Sequence, residues 1–221
     1  MSTYCGIYRK VADNMSFVGM HITNEGIIAF ADSKSSLHYI DGREVEDIQR
    51  GPIQKLFKTT NMIIVTHGNN EVFSSENKMN IEDYMNTILT NEIDLEGFVT
   101  RFYKDLRDDR PEYNDGIYHF IVGTKENNRY CIYKVVININ DDRFLKKKEF
   151  LTNTIYKGYV VGGNQKYIDI YNLHTFYHDI EINRYCKDIK RMVENLIILE
   201  DTMEDYIYNP VGLPVQIEIF Q

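Results

Sequence analysis

Six histidines and three cysteines are the first residues to weigh for chemistry in this 221-residue chain. His21, His38, His67, His119, His174 and His178 include one close pair, His174-x-x-x-His178, whose spacing sets two imidazoles on one helix face. That is two of the three or four ligands a zinc site needs, and no H-E-x-x-H motif supplies an acidic base between them. The reading is no metal and no cofactor. Cys5, Cys131 and Cys186 are odd in number, widely spaced and without C-x-x-C, which reads as a reduced, cytoplasmic chain. Cys131 with His119 has the residue types of a nucleophile and its base. Both fall inside apolar, strand-like runs, however, where a cysteine is more often a buried structural residue. Gly162-Gly163 lacks the rest of a phosphate loop or dinucleotide fingerprint and reads as a close backbone approach.

The charge balance narrows the partners. Acidic residues outnumber basic ones 33 to 25, and the net charge is −8. A nucleic-acid binder usually carries a basic face. The one basic cluster here, Lys146-Lys147-Lys148, sits beside Asp141, Asp142 and Glu149 and reads as a solvated loop. Neither a nucleic acid nor a membrane is expected as a partner. With 43% hydrophobic and 26% charged residues the chain belongs with globular proteins, not disordered or fibrous ones. A single domain of this length buries roughly 70% of its unfolded surface, enough for a core without staples. No run of 18 apolar residues offers a transmembrane helix. The first fifteen residues carry Arg9, Lys10 and Asp13 without an apolar stretch and do not read as a secretory signal.

The elements that must position any site alternate in period. Residues 16–22 and 27–31 are strand-length apolar runs around Thr23-Asn24-Glu25-Gly26, a hairpin signal. Ile53 to Lys58 and Met62 to Thr66 form a second pair, and the polar stretch Ser35 to Gly51 between the pairs reads as turns. The period then becomes helical. Ile81, Tyr84, Met85, Ile88 and Leu89 make one stripe, with Asn80 placed to cap it. Leu95, Phe98, Val99, Phe102 and Leu106 make another, behind Asp94. Strands return at Ile117–Val122, Tyr130–Ile137 and Tyr156–Val161. Two helices follow, a short one over Gln165–Asn172 and a longer one carrying Ile182, Ile189, Val193 and Ile197. The chain closes on the strict alternation Val215 to Phe220. This order predicts an α+β fold: a four-layer αββα sandwich of two antiparallel sheets with both helix pairs outside.

Within that frame the segment from Met15 to Gly68 resembles the proteasome β-subunit superfamily, the self-processing branch of the N-terminal-nucleophile hydrolases. The residues that carry the resemblance are Ser16-Phe17-Val18-Gly19, Asn24-Glu25-Gly26, Ala31-Asp32-Ser33-Lys34, Lys55-Leu56-Phe57 and His67-Gly68. Val160-Val161-Gly162-Gly163 and Val211-Gly212-Leu213-Pro214-Val215 follow in family order, so the likeness spans nearly the whole chain from Ser16. It implies residues 1–15 as an N-terminal extension or propeptide-like segment and residues 16–221 as one domain.

The resemblance also implies roles. Ser16, freed as the first residue, would attack an amide carbonyl while its own α-amino group, titrating around 7.7–8.0, took the proton. Lys55 would hold down the hydroxyl's pKa by charge, Asp32 would keep Lys55 charged and aimed, and the Gly68 N–H would face the oxyanion. Peptide or amide substrates and a ring-like homo-oligomer come with the family.

Two choices stay open at this point. Removal of Met1 alone would expose Ser2, an alternative nucleophile that needs no self-cleavage but lies thirty residues before Asp32. The family is usually cut after Gly, where this chain has Met15, and Gly163 stands where the family carries a serine. Those two departures suit a catalytically inactive assembly or scaffold subunit of the same fold, while Asp32 and Lys55 suit a peptidase. An unrelated α+β binding module is the third reading.

Overall fold

The computed structural model describes residues 16–38, 43–73, 78–106, 115–139, 144–149, 158–176, 180–203 and 208–221. Ser2 and the rest of residues 1–15, Asp41-Gly42, Pro111 and His178 lie outside the described residues.

The first half of the chain runs β1 (Phe17–Ile22), β2 (Ile27–Ala31), β3 (Ser36–His38), β4 (Glu44–Glu46), β5 (Leu56–Lys58), β6 (Met62–Gly68), β7 (Glu71–Phe73) and β8 (Lys78–Asn80). Two helices follow, α1 (Ile81–Ile88) and α2 (Leu95–Asp105), then β9 (Ile117–Glu126), β10 (Arg129–Asn138), β11 (Phe144–Glu149) and β12 (Tyr159–Gly163). Helices α3 (Gln165–Tyr171) and α4 (Ile182–Met203) and the last strand, β13 (Gln216–Phe220), complete the order. Among the described residues the fold is α+β, with antiparallel sheets and four helices.

One sheet has the order β12-β1-β2-β13 and the other β11-β10-β9-β6-β5; β3-β4 and β7-β8 are separate two-stranded hairpins. Every pairing is antiparallel, so short connections suffice. The β9-β10 hairpin turns on Asn127 and Asn128, both at positive φ (49° and 60°), the conformation a two-residue hairpin loop needs and Asn tolerates.

Strand alternation sorts the core into three apolar clusters. Phe57, Met62, Ile64, Phe120, Val122 and Tyr133 pack with Tyr84 and Met85 of α1 and Phe98 and Phe102 of α2. Phe17, Ile28, Phe30 and Val161 pack with Tyr167 and Tyr171 of α3 and Ile189, Val193 and Ile197 of α4. The opposite faces of the same strands meet each other through Val18, Met20, Ala29, Ala31, Ile63, Val65 and Ile121. Strands β1, β2 and β6 thus bury both faces, and the period of two decides which residue joins which cluster.

The helix ends show which caps work. Asp94 Oδ1 accepts the Gly97 N–H at 2.8 Å, satisfying one of the free donors at the start of α2. Asn80 stands at the cap position of α1 but makes no capping bond; its amide lies 3.4 Å from Asp83 Oδ2 instead. Replacing Asp94 by Ala should therefore lower stability by about 1 kcal/mol, read as a shift in the urea midpoint, whereas Asn80→Ala should change it little.

Three elements depart from the expectation. The polar stretch after Ser35 contains the β3-β4 hairpin, and β7-β8 forms before α1. Lys146, Lys147 and Lys148 are not in a loop: they pair with Val135, Lys134 and Tyr133 as part of the edge strand β11. Basic residues on an edge strand hinder pairing with another chain.

Candidate functional site

Antiparallel pairing brings several strand ends to one place. Ser16 precedes β1, Asp32 follows β2, Gly163 ends β12, Lys55 precedes β5 and Gly68 ends β6. The β1-β2 register sets Val18 opposite Ala31, and the Asp32 N–H donates to the Phe17 carbonyl at 3.0 Å. The structure therefore brings Ser16, Asp32 and Lys55 to the same end of the paired sheets.

Asp32 and Lys55 form a buried ion pair. Asp32 is fully buried and Lys55 is 1% exposed. The Lys55 ammonium donates to Asp32 Oδ1 at 3.1 Å, to Asp32 Oδ2 at 2.9 Å and to the Lys34 carbonyl at 2.9 Å, so all three of its hydrogens are engaged. The carboxylate also accepts the Phe17 N–H at 2.9 Å and the Lys34 N–H at 3.1 Å. Four donors on two oxygens match an ionised carboxylate. Burial pushes the Asp32 carboxyl up and the Lys55 ammonium down, and the charge of each opposes the shift on the other. Because the Phe17 N–H belongs to the peptide joining Ser16 and Phe17, Asp32 fixes the backbone at Ser16 and the head of Lys55 together.

The stem and the head of Lys55 are both enclosed.

Two residues that spacing did not single out complete the support. Gln216, in β13, accepts the N–H groups of Lys55 and Leu56 on its Oε1 at 3.0 and 3.1 Å, and its Nε2 donates to the Ile53 carbonyl at 2.6 Å. The backbone that carries Lys55 is thereby clamped from the other sheet. Alternation showed Gln216 only as a polar position on a half-buried strand. His67 is the second. Its ring stacks on His119, its cross-strand partner, with centroids 5.1 Å apart. Part of the residue reaches solvent, but Nδ1 does not, and it has no hydrogen-bond partner among the described residues. Burial first, then the His119, Lys134 and Lys55 charges, hold its pKa down at about 3.

The glycine pair explains how closely these parts pack. A Cβ at Gly162 would stand 2.6 Å from His67 Nε2, and one at Gly163 would stand 1.8 Å from the Ser16 carbonyl oxygen. Gly163 has φ of +102°, and the Asn164 N–H donates to that same Ser16 oxygen at 2.6 Å. Ser16 is itself 2% exposed. Gly68 has φ of +89° and pairs with Tyr118.

The remaining chemical candidates stay apart. Cys131 is buried on β10 and its thiol lies 3.8 Å from the Arg129 carbonyl and 4.0 Å from a Glu126 oxygen. His174 lies past the end of α3, not on a helix face, and its Nδ1 bonds back to the Ile170 carbonyl. Among the described residues, no three His, Cys, Asp or Glu side chains converge as metal ligands, and no helix is long and apolar enough to cross a membrane. The chain matches no model of a known protein family and no curated protein.

Proposed function

We propose that the chain is a proteasome-like N-terminal-nucleophile hydrolase, a four-layer αββα sandwich that cleaves peptide or amide bonds once Ser16 is freed as its first residue. The three stacked apolar clusters support the layering. The observation that carries the chemistry is the buried Lys55–Asp32 pair, whose carboxylate also holds the peptide N–H following Ser16. A positive charge fixed in low dielectric beside a serine lowers the energy of its alkoxide without a transferable proton. The freed α-amino group of Ser16 is then the base, and the Gly68 N–H meets the oxyanion. In this reading the enzyme is a cytoplasmic ring of identical subunits.

A second reading, a silent scaffold of the same fold, is favoured by one specific observation. The three Lys55 hydrogens are all taken, and Gly163 adds no hydroxyl near Ser16.

Intact mass and a panel of fluorogenic peptides separate the two. The full-length chain should be inert, because its Ser16 nitrogen is a peptide N–H and no base. Hydrolysis should accompany only the species that begins at Ser16, and Ser16→Ala should remove both the cut and the activity. A full-length chain that still hydrolyses amides would make Ser2 the leading nucleophile. A chain beginning at Ser16 that stays inert throughout the panel would leave the scaffold.

A further inference from the structure

Among the buried polar groups that the mechanism so far leaves unused is an imidazole. His67 directly precedes Gly68, and its Nδ1 is enclosed without a partner among the described residues. Its Nε2 lies against Gly162, while the next residue, Gly163, lies against the Ser16 carbonyl. Two consecutive residues of β12 thus approach the imidazole and the Ser16 backbone in turn. Alternation places both on one layer: Val65 and Ile63 of β6 and Val18 and Met20 of β1 all belong to the cluster between the sheets. His67 continues the first series and Ser16 the second.

Resting on the reading of Ser16 as nucleophile, we infer that His67 is a further catalytic residue of this site, its Nε2–H donating to the oxyanion beside the Gly68 N–H. In the step it serves, the Ser16 oxygen bonds to the carbonyl carbon and the carbonyl π pair moves onto oxygen. The hydroxyl proton passes to the α-amine; collapse then breaks the C–N bond, and the amine leaves with that proton. His67 gives up no proton in this scheme. A neutral imidazole suits the part, since it donates a hydrogen bond at every working pH. Burial first, then the stacked His119 ring and the Lys134 and Lys55 cations, keep it neutral. The role requires the hydrogen on Nε2, which leaves Nδ1 an enclosed lone pair instead of an enclosed donor.

Two measurements test this. Histidine-selective 15N NMR of the full chain should show His67 as the neutral Nε2–H tautomer, unchanged between pH 8 and pH 5. An Nδ1–H tautomer, or titration near the ordinary histidine value of about 6.5, would overturn the proposal. The second uses a chain beginning at Ser16, which keeps every described strand, helix and apolar cluster, all within Phe17–Phe220. A β-lactone should acylate Ser16, followed by mass. His67→Leu should slow the acylation rate at saturation about 100-fold, with little change in the half-saturating concentration. His67→Gln, which keeps a side-chain N–H, should recover much of the rate. Label that is lost in Ser16→Ala but unchanged in His67→Leu would overturn the role of His67 alone. Label that persists in Ser16→Ala, or no label at all, would overturn the reading of Ser16 itself.

Discussion

Lys55→Ala should destabilise the protein by about 3–5 kcal/mol, because it leaves the Asp32 carboxylate buried and without its cation. Against a total of roughly 5–15 kcal/mol for a native protein, that is a third or more of the stability. The comparison that isolates the cause is the double variant Asp32→Asn with Lys55→Met. It removes both charges together, so no uncompensated ion stays in the core, and at least half of the loss should return. A surface pair such as Lys190–Glu194, 3.9 Å apart on exposed turns of α4, should by contrast be worth about 0.5 kcal/mol or less. Urea unfolding of the four proteins decides it. A Lys55→Ala protein as stable as its parent would mean that Lys55 and Asp32 are not enclosed together. Activity lost in Lys55→Ala is uninterpretable until its folded fraction is known.

Gly163→Ala carries the second large effect. At φ of +102° the backbone lies well beyond the left-handed α region near +57° that other residues occasionally reach. The added methyl would also stand 1.8 Å from the Ser16 carbonyl oxygen, a backbone atom that no rotamer change can move. Either β12 must separate from the start of β1 or the strand must bend, and both give up the Asn164–Ser16 hydrogen bond. We expect a loss of at least about 3 kcal/mol, the sum of backbone strain and one broken ladder contact. Gly51→Ala is the matched control: its φ is +68°, but nothing lies within 4 Å of the new methyl. That change should cost about 1 kcal/mol. For a protein of this size 1 kcal/mol moves Tm by about 2–4 °C, so the two variants should differ by several degrees in thermal unfolding. Equal melting temperatures would show that β12 does not meet Ser16 as described.

Periodicity made the long elements legible. The hairpin at residues 16–31, the two stripes over residues 81–106 and the closing alternation all correspond to elements of the structure, because each is long enough to reveal its period. The hairpins β3-β4 and β7-β8 escaped because three residues cannot display an alternation. The Lys146–Lys148 run was read for its charge, yet it forms a strand through pairing with β10, which no local pattern announces. At the site, Asp32 and Lys55 stood out through their order along the chain. What the residues alone concealed was the burial of Lys55, since a lysine beside a short strand gives no sign of what will cover it. His67 and His119 are 52 positions apart, and only the β6-β9 register makes them neighbours. Gly162-Gly163 was recognisable as a close approach, but not what approaches.

The pairing of strands far apart in sequence also sets when the site can exist. Sheet β12-β1-β2-β13 joins Val18 to Gly162 and Ala31 to Gln216, contacts separated by well over a hundred residues. The hairpins β1-β2 and β9-β10 need only their own short loops, and closing a short loop takes far less time than bringing distant segments together. During synthesis the first hairpin must wait, one edge of each strand unpaired, until β12 and β13 have been made. Gln216, which clamps the backbone around Lys55, follows that lysine by well over a hundred residues. The nascent chain therefore carries Ser16, Asp32 and Lys55 without an assembled site until those strands arrive. Whatever this end of the sheets does, it cannot begin before then.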